Sequence, residues 1–84
     1  MAAEINPEIG IAHRLDCRGL VCPLPVIKTK QAIDKMAVGQ VLEMIATDPG
    51  AKSDMVAWSK STGHVLVDTR EVPGVYTFYI RKAG

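Results

Sequence analysis

Leu15-Asp16-Cys17-Arg18-Gly19-Leu20-Val21-Cys22-Pro23-Leu24-Pro25 is the stretch on which the fold turns, because within it a strand pattern gives way to a helical one. Before it, Ile11, His13 and Leu15 alternate with Ala12, Arg14 and Asp16, the period of a short strand. Asp16-Cys17-Arg18-Gly19 then has the composition of a turn. After it, from Val26, the pattern is helical: Val26, Ala32, Ile33 and Met36 gather on one side, and Lys28, Gln31 and Lys35 on the other. Gly39 is the expected stop.

Downstream, Gln40 to Thr47 reads as a second strand, with Leu42, Met44 and Ala46 on one face and Val41, Glu43, Ile45 and Thr47 on the other. Asp48-Pro49 is expected to open a second helix, the aspartate as cap and the proline at the first position. Its apolar stripe is Ala51, Met55 and Trp58, and Gly63 ends it. His64 to Val72 and Val75 to Lys82 are β-rich and joined by Pro73-Gly74, an antiparallel hairpin. The order is βαβαββ. Two helices cannot cover both faces of a four-stranded sheet, so the expected fold class is an α/β (α+β) two-layer sandwich, a mixed sheet with both helices on one face. Residues 1–10 show no periodicity and carry Pro7 and Gly10, which reads as a flexible leader before a single domain over residues 11–84.

With 84 residues the chain makes one domain and buries only roughly 60% of its unfolded surface. Ten Lys and Arg against nine Asp and Glu leave a net charge of +1, far from the basic footprint of a dedicated nucleic-acid binder. Apolar runs are only a few residues long, and the leader carries Glu4 and Glu8 with no basic flank, so neither a membrane span nor a secretory signal is read. The expected setting is the cytoplasm. Two cysteines are too few for a disulfide framework, and a reducing cytosol opposes one, so any special role for them is reactive.

Chemistry concentrates at Cys22. A residue before proline is pushed out of the helical region, so Cys22 fits the cap position, with Pro23 in the first turn where a missing N–H costs nothing. Leu24, itself before Pro25, leaves the first helical residue open by one or two positions. A sulfur there would face the positive end of the helix and the N–H groups of Leu24 and Val26, with Arg18 and Lys28 near in sequence, an environment that lowers a thiol pKa and favours an anionic persulfide as well. The bland fate of a cysteine is a buried small hydrophobe. Gly19 before Cys22 and two prolines after it argue instead for a rigid rim. Cys17 has no helix end behind it and reads as a partly buried or incidental thiol, with a resolving role as the lesser reading. Ile27, off the apolar stripe, either packs beneath the preceding loop or belongs to a small docking patch. His13 and His64 lack metal spacing to the cysteines, so no metal or other cofactor is expected.

The quoted stretch, with its Cys-Pro-x-Pro core after a Gly turn, resembles the TusA family of sulfur carriers, also called SirA-like. The resemblance runs through Asp48-Pro49 to the closing hairpin and Arg81-Lys82. It implies a two-layer βαβαββ fold like that of the carboxy-terminal domain of translation initiation factor three. It also implies a carrier that takes sulfur from a donor of cysteine desulfurase or rhodanese type and passes it to an acceptor protein, more relay than stand-alone enzyme. By that likeness Cys22 is the acceptor and Pro23 and Pro25 shape its turn. Family routes lead to tRNA thiolation, molybdenum-cofactor assembly or sulfur and thiosulfate metabolism. No direct nucleic-acid or membrane partner is expected, and a monomer is. Three rivals stand beside this reading: a thiol redox module using Cys17 and Cys22, a regulatory or RNA-binding module, and an assembly domain using an apolar patch of Val41, Ile45, Val75 and Tyr79 on the uncovered sheet face. Four residues separate the cysteines, unlike the usual Cys-x-x-Cys, and only four aromatics are present.

Overall fold

The computed structural model describes residues 11–84, so the leader reading falls outside the described residues. The order is β1 (Ile11–Cys17), α1 (Leu24–Asp34), β2 (Val41–Ala46), α2 (Ala51–Thr62), β3 (Val65–Val72) and β4 (Val75–Arg81), the expected βαβαββ. The four strands form one sheet in the order β1-β2-β4-β3. β1 and β2 are parallel, since a helix must carry the chain back between them, while β4 is antiparallel to both β2 and β3. The two-residue Pro73-Gly74 loop closes the hairpin at the Val72–Val75 pair, with Gly74 at φ +80°. β4 thereby slots between β2 and β3.

One face of this sheet holds the core. Leu42, Met44 and Ala46 of β2 and Phe78 and Ile80 of β4 meet Ile33 and Met36 from the first helical segment and Ala51 and Met55 from α2, all in one buried cluster. Both helices therefore share that face. Full burial of Phe78, Ile33, Leu42, Met44, Met55 and Ile80 contributes about 1.5–3 kcal/mol each. Thr29, not foreseen as core, is completely buried on α1 between Pro25 and Ile33. Its hydroxyl is satisfied by donating to the Pro25 carbonyl at 2.7 Å.

Three expectations are corrected here. The first helix ends at Asp34, well before Gly39, and the turn after it is tied to the far end of the chain: Lys82 Nζ donates to Met36 O at 2.8 Å and reaches Asp34 O at 3.5 Å. Gly39, at φ +92°, instead donates its N–H to Lys82 O at 2.8 Å beside the start of β2. The second helix is capped by Gly50, and Asp48 makes no side-chain cap bond, its carboxylate being engaged elsewhere. Gly63 does end α2, in the left-handed region at φ +85°, with its N–H on Ser59 O at 2.9 Å. Finally, the outer sheet face does not present the expected apolar patch. Val41 and Tyr79 are buried, 2% and 3% exposed. That face carries a polar network in which Glu43 accepts from Arg14 Nε and from the Tyr79 hydroxyl, each at 2.9 Å, while Arg70 lies 5.5 Å over the Tyr79 ring.

Candidate functional site

The site is built where β1 runs out. The strand continues to Cys17, one residue beyond its expected end, and the chain then turns at Arg18-Gly19, with Leu20 N–H on Cys17 O at 3.1 Å and Gly19 at φ +82°. That φ favours glycine. Asp16 pins the turn: its carboxylate accepts from Arg18 Nε and Nη2 at 2.9 Å each and from the Arg18 backbone N–H at 3.0 Å. The Arg18 guanidinium holds the Asp16 carboxyl down at about 2, and the same bond raises Arg18. Arg18 is thus the brace of the loop and its charge is already matched.

Past this turn Val21, Cys22, Pro23 and Leu24 form a second one, closed by Leu24 N–H on Val21 O at 2.9 Å, with the Cys22–Pro23 peptide cis. α1 follows, its cap being Pro23 and its first four-residue bond Ile27 N–H to Pro23 O at 3.1 Å. The expectation that Cys22 caps the helix is therefore off by one residue. Leu24 N–H, expected to face the sulfur, is spent on Val21.

Two side chains from the segment after β2 clamp this loop: Thr47 Oγ1 accepts the Gly19 N–H at 2.9 Å, and Asp48 Oδ2 accepts the Cys22 N–H at 3.2 Å. Asp48 and Asp54 are the residues that sequence reasoning missed. A helix-cap role accounted for Asp48 locally, and the 26 residues between it and Cys22 hid the contact. Their effect reverses the expected electrostatics. The Cys22 thiol is pushed above its ordinary value, first by its hydrogen bond with Asp54, then by desolvation and by the fields of Asp54 and Asp48. The field of Lys28 falls on Cys17, where it lowers the thiol pKa but is outweighed by burial, which raises it.

Both cysteines are free thiols with opposite surroundings: Cys17 is completely buried and Cys22 is exposed. Close to Cys22 in sequence stand the exposed apolar side chains Val21 (65%), Leu24 (41%) and Ile27 (44%) and the exposed Lys28. Ile27 thus faces solvent and does not pack under the loop. Leu24 and Ile27 were legible in principle, being three apart on the helix face opposite Pro25, Thr29 and Ile33. Cys22 is not among the residues lining the shallow groove of about 650 Å³ along Lys52, Val56 and Lys60 of α2. The histidines lie in other company: His64 Nδ1 accepts the Ala83 N–H at 3.0 Å and its ring stands 5.4 Å from Trp58, while His13 is exposed on β1. No helix among the described residues is long and apolar enough to cross a membrane. An exposed thiol on a braced loop suits a group handed between proteins better than a substrate held in a cavity.

Comparison with known proteins agrees with this geometry. Residues 13–82 match the family described as sulfurtransferase TusA. The sulfur carrier protein TusA of Allochromatium vinosum is 45% identical over 71 residues, 84% of this chain and 93% of that one. A protein of the same description from Pseudomonas fluorescens is 39% identical over 75 residues, 89% of this chain and 90% of that one. The SirA-like protein of Desulfitobacterium hafniense shares the fold, with a TM-score of 0.74 over 86% of this chain and 99% of that one at 20% identity.

Proposed function

Because the chain belongs to the TusA family of sulfur carriers, we propose that Cys22 is where it carries sulfur, as a persulfide taken from a donor protein and relayed to an acceptor protein. The observation that carries this reading is the exposure of Cys22 on a loop held by Asp16, Arg18, Thr47 and Asp48. Loading is a displacement. The Cys22 sulfur attacks the outer sulfur of a donor persulfide, a new S–S bond forms, and the old one breaks with its electron pair leaving on the donor thiolate. Unloading repeats the step with Cys22 as leaving group.

Each remaining residue has a part in this. Gly19 permits the turn, Pro23 and Pro25 stiffen the entry to α1, and Arg18 braces the loop through Asp16. Val21, Leu24, Ile27 and Lys28 form the surface a partner covers while the two sulfurs meet. Donors of cysteine desulfurase or rhodanese type fit such a step, and the acceptor would belong to tRNA thiolation, molybdenum-cofactor assembly or sulfur and thiosulfate metabolism, in a reducing cytoplasm. The carrier works as a monomer and needs no cofactor in this scheme. A redox pair is disfavoured because Cys17 has no access to solvent or partner. RNA binding is disfavoured because no aromatic is exposed: Phe78 and Tyr79 are buried and Trp58 and Tyr76 half-buried.

The test is to incubate the full chain with a persulfide donor and map added sulfur by mass spectrometry. One sulfur on Cys22 is expected, and none in Cys22→Ser. Sulfur retained on Cys17 in that variant would falsify the assignment.

A further inference from the structure

The backbone N–H groups that hold the Cys22 loop fall into two kinds. Those of Arg18, Leu20 and Leu24 go to Asp16, Cys17 and Val21, two or three residues back, and give the loop its shape. Those of Gly19 and Cys22 go to Thr47 Oγ1 at 2.9 Å and Asp48 Oδ2 at 3.2 Å, 28 and 26 residues away. Local bonds cannot fix where the loop stands relative to the sheet, whereas these two can. Thr47 and Asp48 follow directly on β2, whose last residue, Ala46, is the register partner of Cys17 at the end of β1. Both partners of that pair are completely buried, so the clamp is anchored on a firm strand end. Asp48 forgoes a stabilising role to provide it. It stands just ahead of α2, where an aspartate can cap a helix, yet α2 has Gly50 as its cap and no side-chain cap bond. A local rule broken without local gain points to a use elsewhere, and the carboxylate's bond is to the reacting residue.

We propose that Asp48 is a positioning residue of sulfur transfer: by accepting the Cys22 N–H it aims the Cys22 sulfur at the outer sulfur of a docked donor protein, while Thr47 holds the same loop at Gly19. This rests on Cys22 being the sulfur acceptor. Displacement at sulfur needs the attacking, transferred and leaving sulfurs in line, and a docked protein cannot turn to meet a sulfur that stands askew. A small donor diffusing to the exposed thiol chooses its own approach. Asp48 acts through the backbone and neither makes nor breaks a bond to sulfur. Its loss therefore weighs on transfer from a protein and not on transfer from a small molecule.

The test compares, on the full chain, Asp48→Ala, which removes the acceptor, with Asp48→Asn, whose amide oxygen still accepts the Cys22 N–H. Single-turnover loading of Cys22 is followed by mass spectrometry with two donors. One is a persulfidated protein of rhodanese or cysteine desulfurase type, whichever loads wild type faster, and the other is glutathione persulfide. With the protein donor, Asp48→Ala should lower the saturating rate by about 10-fold or more, since a misplacement on the order of 1 Å costs up to ~10²-fold. The half-saturating donor concentration should stay near that of wild type. With glutathione persulfide the rate should hold or rise, because losing a nearby carboxylate leaves more thiolate. Asp48→Asn should recover most of the protein-donor rate. Thr47→Val and Thr47→Ser repeat the comparison at Gly19 and stand in if Asp48→Ala folds poorly. Wild-type loading of Asp48→Ala from the protein donor, an equal loss with both donors, or no recovery in Asp48→Asn overturns the proposal. Should wild type gain no sulfur from a protein donor, the relay reading itself fails. Hydrogen exchange at the Cys22 amide, which involves no sulfur, still decides whether Asp48 holds the loop: it should quicken in Asp48→Ala and return in Asp48→Asn, and unchanged exchange in Asp48→Ala overturns the tether.

Discussion

Asp16 and Arg18 show how much one residue's neighbour decides. Both are exposed, and such pairs contribute little to stability. Yet three hydrogen bonds on one carboxylate bring it to about 2, against an ordinary 3.8. A carboxyl lowered on folding stabilises the folded state above its unfolded value and loses that contribution as pH falls through its folded value. The window here is pH 4 to pH 2. In Arg18→Ala the Asp16 titration, followed by NMR at its carboxyl carbon, should return to the ordinary range. If the Asp16 midpoint stays where it is in wild type, the guanidinium is not its cause. Sequence reads Arg18 as a free cation beside the sulfur. Its partner two residues away takes that charge first.

Helix α1 has one face in the core and one toward solvent. Pro25, Thr29 and Ile33 are buried, while Leu24, Ile27 and Lys28 are exposed next to Cys22. Ile33→Ala should therefore cost about 2–5 kcal/mol in thermal or denaturant unfolding. Ile27→Ala should stay within about 0.5 kcal/mol of wild type in the same measurement. In binding to a sulfur donor the order reverses: Ile27→Ala should hasten dissociation, and Lys28→Glu should slow association and weaken its salt dependence. Stopped-flow association across salt concentrations checks this, and wild-type rates in both variants would move the docking surface off this helix. Periodicity marks the core side of α1 as Val26, Ala32, Ile33 and Met36, but Pro25 and Thr29 escape it because neither is apolar in the usual helical sense. Thr29 is admitted to the core because the carbonyl four residues back satisfies its hydroxyl.

At the scale of the whole molecule the sheet's uncovered face matters most. Glu43 on β2 is 7% exposed and receives Arg14 from one neighbouring strand and the Tyr79 hydroxyl from the other. Glu43→Ala would leave the Tyr79 hydroxyl without its acceptor and should destabilise the fold by about 1–3 kcal/mol. Tyr79→Phe removes only one donor and should cost about 1 kcal/mol, the carboxylate keeping Arg14. Equal stability of Glu43→Ala and wild type in urea unfolding would show that the network adds nothing. Neither change touches the Cys22 loop, so sulfur loading should be unaffected.

The βαβαββ order, the Pro73-Gly74 hairpin and the Gly63 helix end were determined by sequence alone, because periodicity and turn chemistry act over a few neighbouring residues. The insertion of β4 between β2 and β3, the tie of Lys82 to the turn after α1 and the burial of Glu43 were decided only by tertiary structure, through contacts such as Tyr79–Glu43 and Lys82–Met36, 36 and 46 residues apart. The same division runs through the site itself. Local sequence marks Cys22 as reactive, whereas its protonation depends on Asp48 and Asp54, delivered from across the chain. A thiol's charge responds to every carboxylate within a few ångströms, and only the folded chain says which ones those are.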